Sequence, residues 1–210
     1  MTRAGTRILA AGFAVLLMGT AAAGAEARAA DVQRLYTQGQ YEDSRVAAIE
    51  VLRSNPLDID TYVLLCSDLI ALKRYPDAQN YALKAYGLRR DPRITELLGE
   101  AAFNLGNNDA ALKLFQNYVT AVPEGSSVGS AYFYMGEIFL RLARYAHADI
   151  ALSTALQFVP GNAGWWARLG WARERANDRN GALAAYRSAL AIDPRQEDAL
   201  LGMSRLNVVN

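Results

Sequence analysis

The chain has 210 residues, with 22 Lys and Arg against 21 Asp and Glu, a single His and a single Cys. A net charge of +1 suggests no concentrated positive field, so nucleic acid, which is held by phosphate neutralisation, is not expected as a partner. One His and one Cys also cannot close a zinc cluster, which needs several such ligands around the ion.

Arg3 and Arg7 precede an apolar run of 11 residues, Ile8 to Met18, and a small-residue tract follows from Gly19 to Ala27. That is the three-part layout of a secretory leader. The run is too short to span a bilayer, which takes about 20 apolar residues. Small-x-small sites end at Ala23, Ala25 and Ala27, and cleavage is expected after Ala25 or Ala27. Residues 1–25 are therefore assigned to the leader and 26–210 to the mature protein. No cysteine stands directly after the apolar run, which argues against a lipid anchor. Removing Arg3 and Arg7 leaves 20 basic residues against 21 acidic ones. The Ala-rich tract looks bacterial, so the expected location is periplasmic, with no stable membrane insertion once the leader is gone.

Beyond the leader the chain repeats itself about every 34 residues. Residues 25–58 carry Leu35, Gly39, Tyr41, Ala48, Val51 and Pro56, with Arg28 and Val32 where later units have an aromatic and a glycine. Residues 59–91 carry Tyr62, Leu65, Cys66, Leu69, Tyr75, Ala78, Ala82 and Ala85. Residues 92–125 carry Leu98, Gly99, Ala102, Gly106, Ala111, Phe115, Tyr118 and Pro123. After an insertion at Ser126, Ser127 and Val128, residues 129–162 carry Tyr132, Met135, Gly136, Ala148, Leu152, Ala155 and Pro160. Residues 163–196 repeat the same slots as Trp166, Leu169, Gly170, Ala182, Tyr186, Ala189 and Pro194. From Glu197 to residue 210, Ala199, Leu200, Met203 and Leu206 recur at helical spacing, as a helix capping the last open face would.

This pattern resembles the tetratricopeptide repeat, a helix-turn-helix unit. The fold expected is all-α, a solenoid of five such units with a C-terminal capping helix. Two antiparallel helices approach closely only where one offers a small residue, so Gly170 and Gly136 are expected against Ala182 and Ala148. Tyr186 and Leu152 are expected beside them. Cys66 occupies a glycine slot and reads as a packing thiol. Arg173 stands where neighbouring units have Leu69, Ala102 and Phe139. It is expected to bury its stem and leave its head in water; the alternative is a charge held by a carboxylate partner.

No catalytic set emerges. His147 is alone and reads as surface, no Gly-x-Ser-x-Gly or phosphate-binding glycine loop occurs, and Glu96 and Glu100 at one helical turn read as polar surface. No cofactor is expected, and no enzyme activity.

The resemblance implies that first helices line a concave face, where a protein or peptide partner would bind. The residues left for that groove are Tyr36, Glu96, Glu100, Phe103, Asn104, Phe133, Glu137, Leu140, Arg141, Trp171, Glu174 and Arg175. Phe103, Phe133, Leu140 and Trp171 are large apolar groups that the packing slots do not explain; the alternative for each is extra packing between units. The carboxylates would face basic residues of a partner. The lysine-based clamp by which some relatives grip chaperone C-termini is not expected, because its first-unit sites are Ala29 and Gln33 and only Arg93 could serve it. The chain thus reads as an envelope interaction scaffold, the alternative being a small-ligand accessory of an envelope transport system.

Overall fold

A left-handed residue reverses the chain at the same point of every unit. Gly39, Lys73, Gly106, Ala143 and Asn177 have φ of 73°, 58°, 80°, 55° and 62°. The next amide in each case reaches back to close the preceding helix: Gln40 to Leu35 (3.0 Å), Arg74 to Leu69 (2.7 Å), Asn107 to Ala102 (2.9 Å), Arg144 to Phe139 (2.8 Å) and Asp178 to Arg173 (2.9 Å). This bond satisfies an otherwise orphaned carbonyl and sends the chain into the second helix. Glycine adopts the conformation freely, whereas the Cβ of Lys73 or Ala143 costs roughly 1–2 kcal/mol there.

The computed structural model describes residues 28–207; the expected leader, residues 1–25, lies outside the described residues. Eleven helices occur among the described residues and no strand: α1 (28–37), α2 (Tyr41–Ser54), α3 (Ile59–Ala71), α4 (Tyr75–Leu88), α5 (Pro92–Asn104), α6 (Asn108–Ala121), α7 (Val128–Arg141), α8 (Tyr145–Phe158), α9 (Ala163–Arg175), α10 (Arg179–Ile192) and α11 (Glu197–Asn207). None is long and apolar enough to cross a membrane. The odd-numbered helices up to α9 are the first helices of the units and the even-numbered ones the second.

Side-chain caps start several of them. Asp58 accepts the amides of Asp60 and Thr61 (3.1 and 3.3 Å) at the start of α3. Asn162 accepts Trp165 N–H (3.1 Å) at α9, and Asp178 accepts Gly181 N–H (2.9 Å) at α10. Val128, placed in the insertion by sequence, is instead the first residue of α7 and is buried.

The chain divides into two compact units, Met1–Leu97 and Leu98–Asn210, the boundary falling inside α5. The first is centred on Val32, Tyr62, Leu65, Leu69 and Ile94, all essentially inaccessible. The second is centred on Phe115, Ile138, Leu152, Leu169 and Tyr186, equally inaccessible.

Within each helix pair, volume is exchanged between two facing slots. A Cβ added to Gly99 would lie 3.0 Å from the Phe115 ring, at Gly136 2.6 Å from Leu152 Cγ, and at Gly170 2.5 Å from the Tyr186 ring. The glycines therefore face Phe115, Leu152 and Tyr186, not the alanines expected from the sequence. The corresponding slots of the first two pairs hold Val32 with Ala48 and Cys66 with Ala82, all fully buried. Where the first helix gains a side chain the second gives one up, so close packing is kept. Arg173 has the carboxylate partner that the sequence left as the alternative, and stays partly exposed. Its Nε donates to Asp149 Oδ1 at 3.1 Å and its Nη2 to Ser153 Oγ at 3.4 Å, joining α9 to α8.

Candidate interaction face

Neighbouring first helices of the second unit are stitched together by a polar ladder. Tyr134 on α7 donates its hydroxyl to Glu100 on α5 at 2.7 Å. One unit on, Arg168 on α9 donates to both oxygens of Glu137 on α7, at 2.6 and 2.8 Å. Glu174 on α9 is held the same way by Arg205 of α11, at 2.8 and 2.9 Å, and also accepts the Tyr186 hydroxyl at 2.7 Å. The Arg205 guanidinium holds the Glu174 carboxyl below the usual carboxylate range, while burial and the Glu174 charge push the Tyr186 phenol up. Glu137 and Glu174 side chains are only 16% and 15% exposed. These carboxylates are spent on holding helix to helix, which corrects the expectation that they await a partner's basic residues.

Burial sorts the four apolar candidates. Phe103 and Leu140 are 8% and 9% exposed and sit in the core of the second unit. Phe103 is roofed by Arg141, whose guanidinium lies 3.6 Å from the ring centroid, and flanked by Tyr134 at 5.0 Å. Neither offers a surface anchor; for both, packing between units is the correct reading. Phe133 and Trp171 remain half-buried and partly accessible. Phe133 stacks on Trp165 at 4.8 Å, with planes 9° apart. Two guanidiniums lie over the Trp171 ring, Arg205 at 5.0 Å and Arg175 at 5.4 Å from its centroid.

Beside Trp171 the surface opens into a recess of about 240 Å³ lined by Ala167, Arg168, Trp171, Tyr186, Asp198 and Arg205. The Trp171 indole is its partly accessible apolar wall, Arg168, Arg205 and Asp198 bring charge to it, and Ala167 and Tyr186 are buried beneath. Arg175 is exposed and donates to the Tyr145 hydroxyl at 3.0 Å. Arg141 is exposed as well, donating to the Phe103 carbonyl at 2.9 Å, near the end of α5, where a cation suits the helix dipole. Asn104 donates to its own helix, at Glu100 O, 2.9 Å away.

The other two candidates lie in the first unit. Tyr36 is half-buried on α1 and meets Tyr41 edge-on at 5.8 Å; Glu96 is half-buried on α5. Arg93 is occupied, bonding Asp60 at 2.8 Å and Asp91 at 2.9 Å. Cys66 is fully buried, and burial pushes its thiol up to about 12. His147 is exposed, 3.1 Å from Arg144 Nη2. Among the described residues no three His, Cys, Asp or Glu side chains gather as metal ligands.

Sequence reasoning missed Trp165, Arg168, Asp198 and Arg205. Arg168 and Arg205 each follow their glutamate by 31 residues, and that recurrence, just short of the repeat length, is the signal that marks a bridge from one first helix to the next or to the capping helix.

Residues 64–126 match the tetratricopeptide repeat family. The fold is that of a tetratricopeptide repeat solenoid. Solved structures share its fold at low identity. MamA from Desulfovibrio magneticus RS-1 is 19% identical with a TM-score of 0.71, covering 82% of this chain and 97% of that one. TTC0263 from Thermus thermophilus is 18% identical with a TM-score of 0.64, covering 88% and 100%. YrrB, described as a tetratricopeptide repeat protein with an unusual peptide-binding site, is 18% identical with a TM-score of 0.67, covering 82% and 88%. No curated protein sequence matches. In tetratricopeptide repeat terms, the ladder and the Trp171 recess both belong to the first-helix side of the units.

Proposed function

We propose that this chain is a non-catalytic interaction scaffold, holding a peptide segment or partner protein on the first-helix side of its second unit. The observation that carries the reading is the recess beside Trp171. Its volume of about 240 Å³ is below the roughly 300–1,000 Å³ of small-molecule sites, but it suits one anchoring side chain. That favours a protein partner over the small-ligand alternative. Exposed aromatic surface rimmed by charge marks interaction sites, and Trp and Arg are the residues most enriched at binding hot spots.

Phe133 stacked on Trp165 extends the apolar surface along α7 and α9, so an extended or helical segment could touch both positions. With Glu100, Glu137 and Glu174 engaged internally, the anchor is apolar and does not depend on basic flanks. The peptide-binding site named for YrrB supports this use of the fold. The leader-like segment Arg3 to Ala27 supports an envelope location, periplasmic in a bacterium, where such a scaffold would bring assembly components together.

A photoactivatable residue placed at Arg175, compared with one at Arg187 on exposed α10, tests the reading. Crosslinks to a co-purifying protein from Arg175 alone are expected. Crosslinks from Arg187 alone would move the site to the second-helix side.

A further inference from the structure

One buried group in the first unit has no counterpart elsewhere in the repeats. Asp68 on α3 is 0% exposed, and both of its carboxyl oxygens are sealed without a hydrogen-bond partner. The same slot in the three later units holds Ala101, Ile138 and Ala172, each 0% exposed. Facing it from α2 is Ser44, also 0% exposed, where the later units place Ala78, Ala111, Ala148 and Ala182. Both polar departures from the pattern therefore meet at one interface, α2 against α3. The Ser44 hydroxyl donates to the Val32 carbonyl of α1 at 3.2 Å, so it is turned toward α1. The charged groups acting on Asp68 are Arg45 and Glu42, both on α2 and ion-paired to each other.

From this burial and this placement we infer that the α2–α3 interface is a proton-controlled latch: the first helix pair, residues 28–54, is held while Asp68 is protonated and loosened when Asp68 ionises.

A carboxyl can sit in this slot at modest cost when neutral, but its anion loses hydration that Ser44 and Arg45 offset only in part. Burial accordingly pushes the Asp68 carboxyl up to about 6, against the pull of Ser44 and Arg45. Once α1 and α2 have opened, the carboxyl meets water and reverts to the ordinary value near 3.9. Because the closed state has the higher value, it binds the extra proton. Closure is strongest below about pH 4, weakens as pH rises through 6, and levels off above about pH 7. With these two values the opening equilibrium rises roughly tenfold between pH 5 and pH 8. Asp91, whose carboxyl lies at about 2, titrates outside that window.

Native-state hydrogen exchange of amides 28–54, corrected for intrinsic exchange rates at each pH, reads the opening equilibrium directly. The wild type is expected to open about tenfold more at pH 8 than at pH 5, with amides of α8 and α9 unchanged. Asp68→Ala, which installs the residue found at Ala101 and Ala172, is expected to be flat across that range and more closed at pH 8. Asp68→Asn, neutral but still polar, is expected to be flat too. A flat wild-type profile would overturn the inference, as would a tenfold dependence that survives in both variants.

Discussion

Replacing Gly136 by Ala puts a methyl 2.6 Å from Leu152 Cγ and 2.8 Å from its Cδ2. Ordinary contact begins about 1 Å further out, so Leu152 must move within a slot that is fully closed. Overpacking of this kind costs about 1–3 kcal/mol. Leu152→Ala alone leaves a cavity and costs about 2–5 kcal/mol. If the two slots share one volume, as Cys66 with Ala82 and Val32 with Ala48 suggest, the methyl of Gly136→Ala enters the space that Leu152→Ala vacates. The double variant should then be more stable than the sum of the singles by at least about 1 kcal/mol, where independent sites add to within roughly 0.3–0.5 kcal/mol. Urea unfolding of the four proteins, with midpoints and slopes compared, closes the cycle. Simple additivity would refute the exchange of volume between helices. So would an unperturbed Gly136→Ala.

Ala143→Gly is expected to stabilise the protein by up to about 1 kcal/mol, because φ of 55° at Ala143 costs an L-residue what glycine avoids; a lower thermal midpoint would contradict this. The Asp91 carboxyl is held down to about 2, chiefly by Arg93, with Arg89 adding a further bond. Its folded value lies below the unfolded value near 3.9, so it stabilises the fold above about pH 4 and the contribution disappears as pH falls toward 2. Asp91→Asn should remove stability at pH 7 and flatten that acid limb, as followed by circular dichroism.

The fold was legible because packing slots in a helical array recur at fixed spacing. Trp166, Gly170 and Tyr186 repeat Tyr132, Gly136 and Leu152, and no other arrangement gives those residues that period. Three turns were less legible, since Lys73, Ala143 and Asn177 take the left-handed conformation without being glycine. The bonds that close the preceding helices over-determine those positions, so local preference does not show them. The candidate site was half legible. Phe133 and Trp171 keep accessible surface, but Phe103 and Leu140 are covered by Arg141, Tyr134 and the core around them. Sequence register gives the direction of a side chain along its own helix, not what the adjacent unit lays over it. Asp68 was invisible for a related reason: one helix alone cannot show that α2 seals it.

The central claim is that binding runs through Trp171. Peptides selected from a random display library on purified residues 28–207 provide a ligand whose affinity isothermal titration can follow. Truncating a hot-spot residue costs at least about 2 kcal/mol, so Trp171→Ala should raise Kd about thirtyfold, with circular dichroism and thermal midpoint showing an intact fold. Arg187→Ala, on the exposed side of α10, should leave Kd unchanged. An affinity that survives Trp171→Ala and collapses in Arg187→Ala would contradict the account and place the site on the second helices.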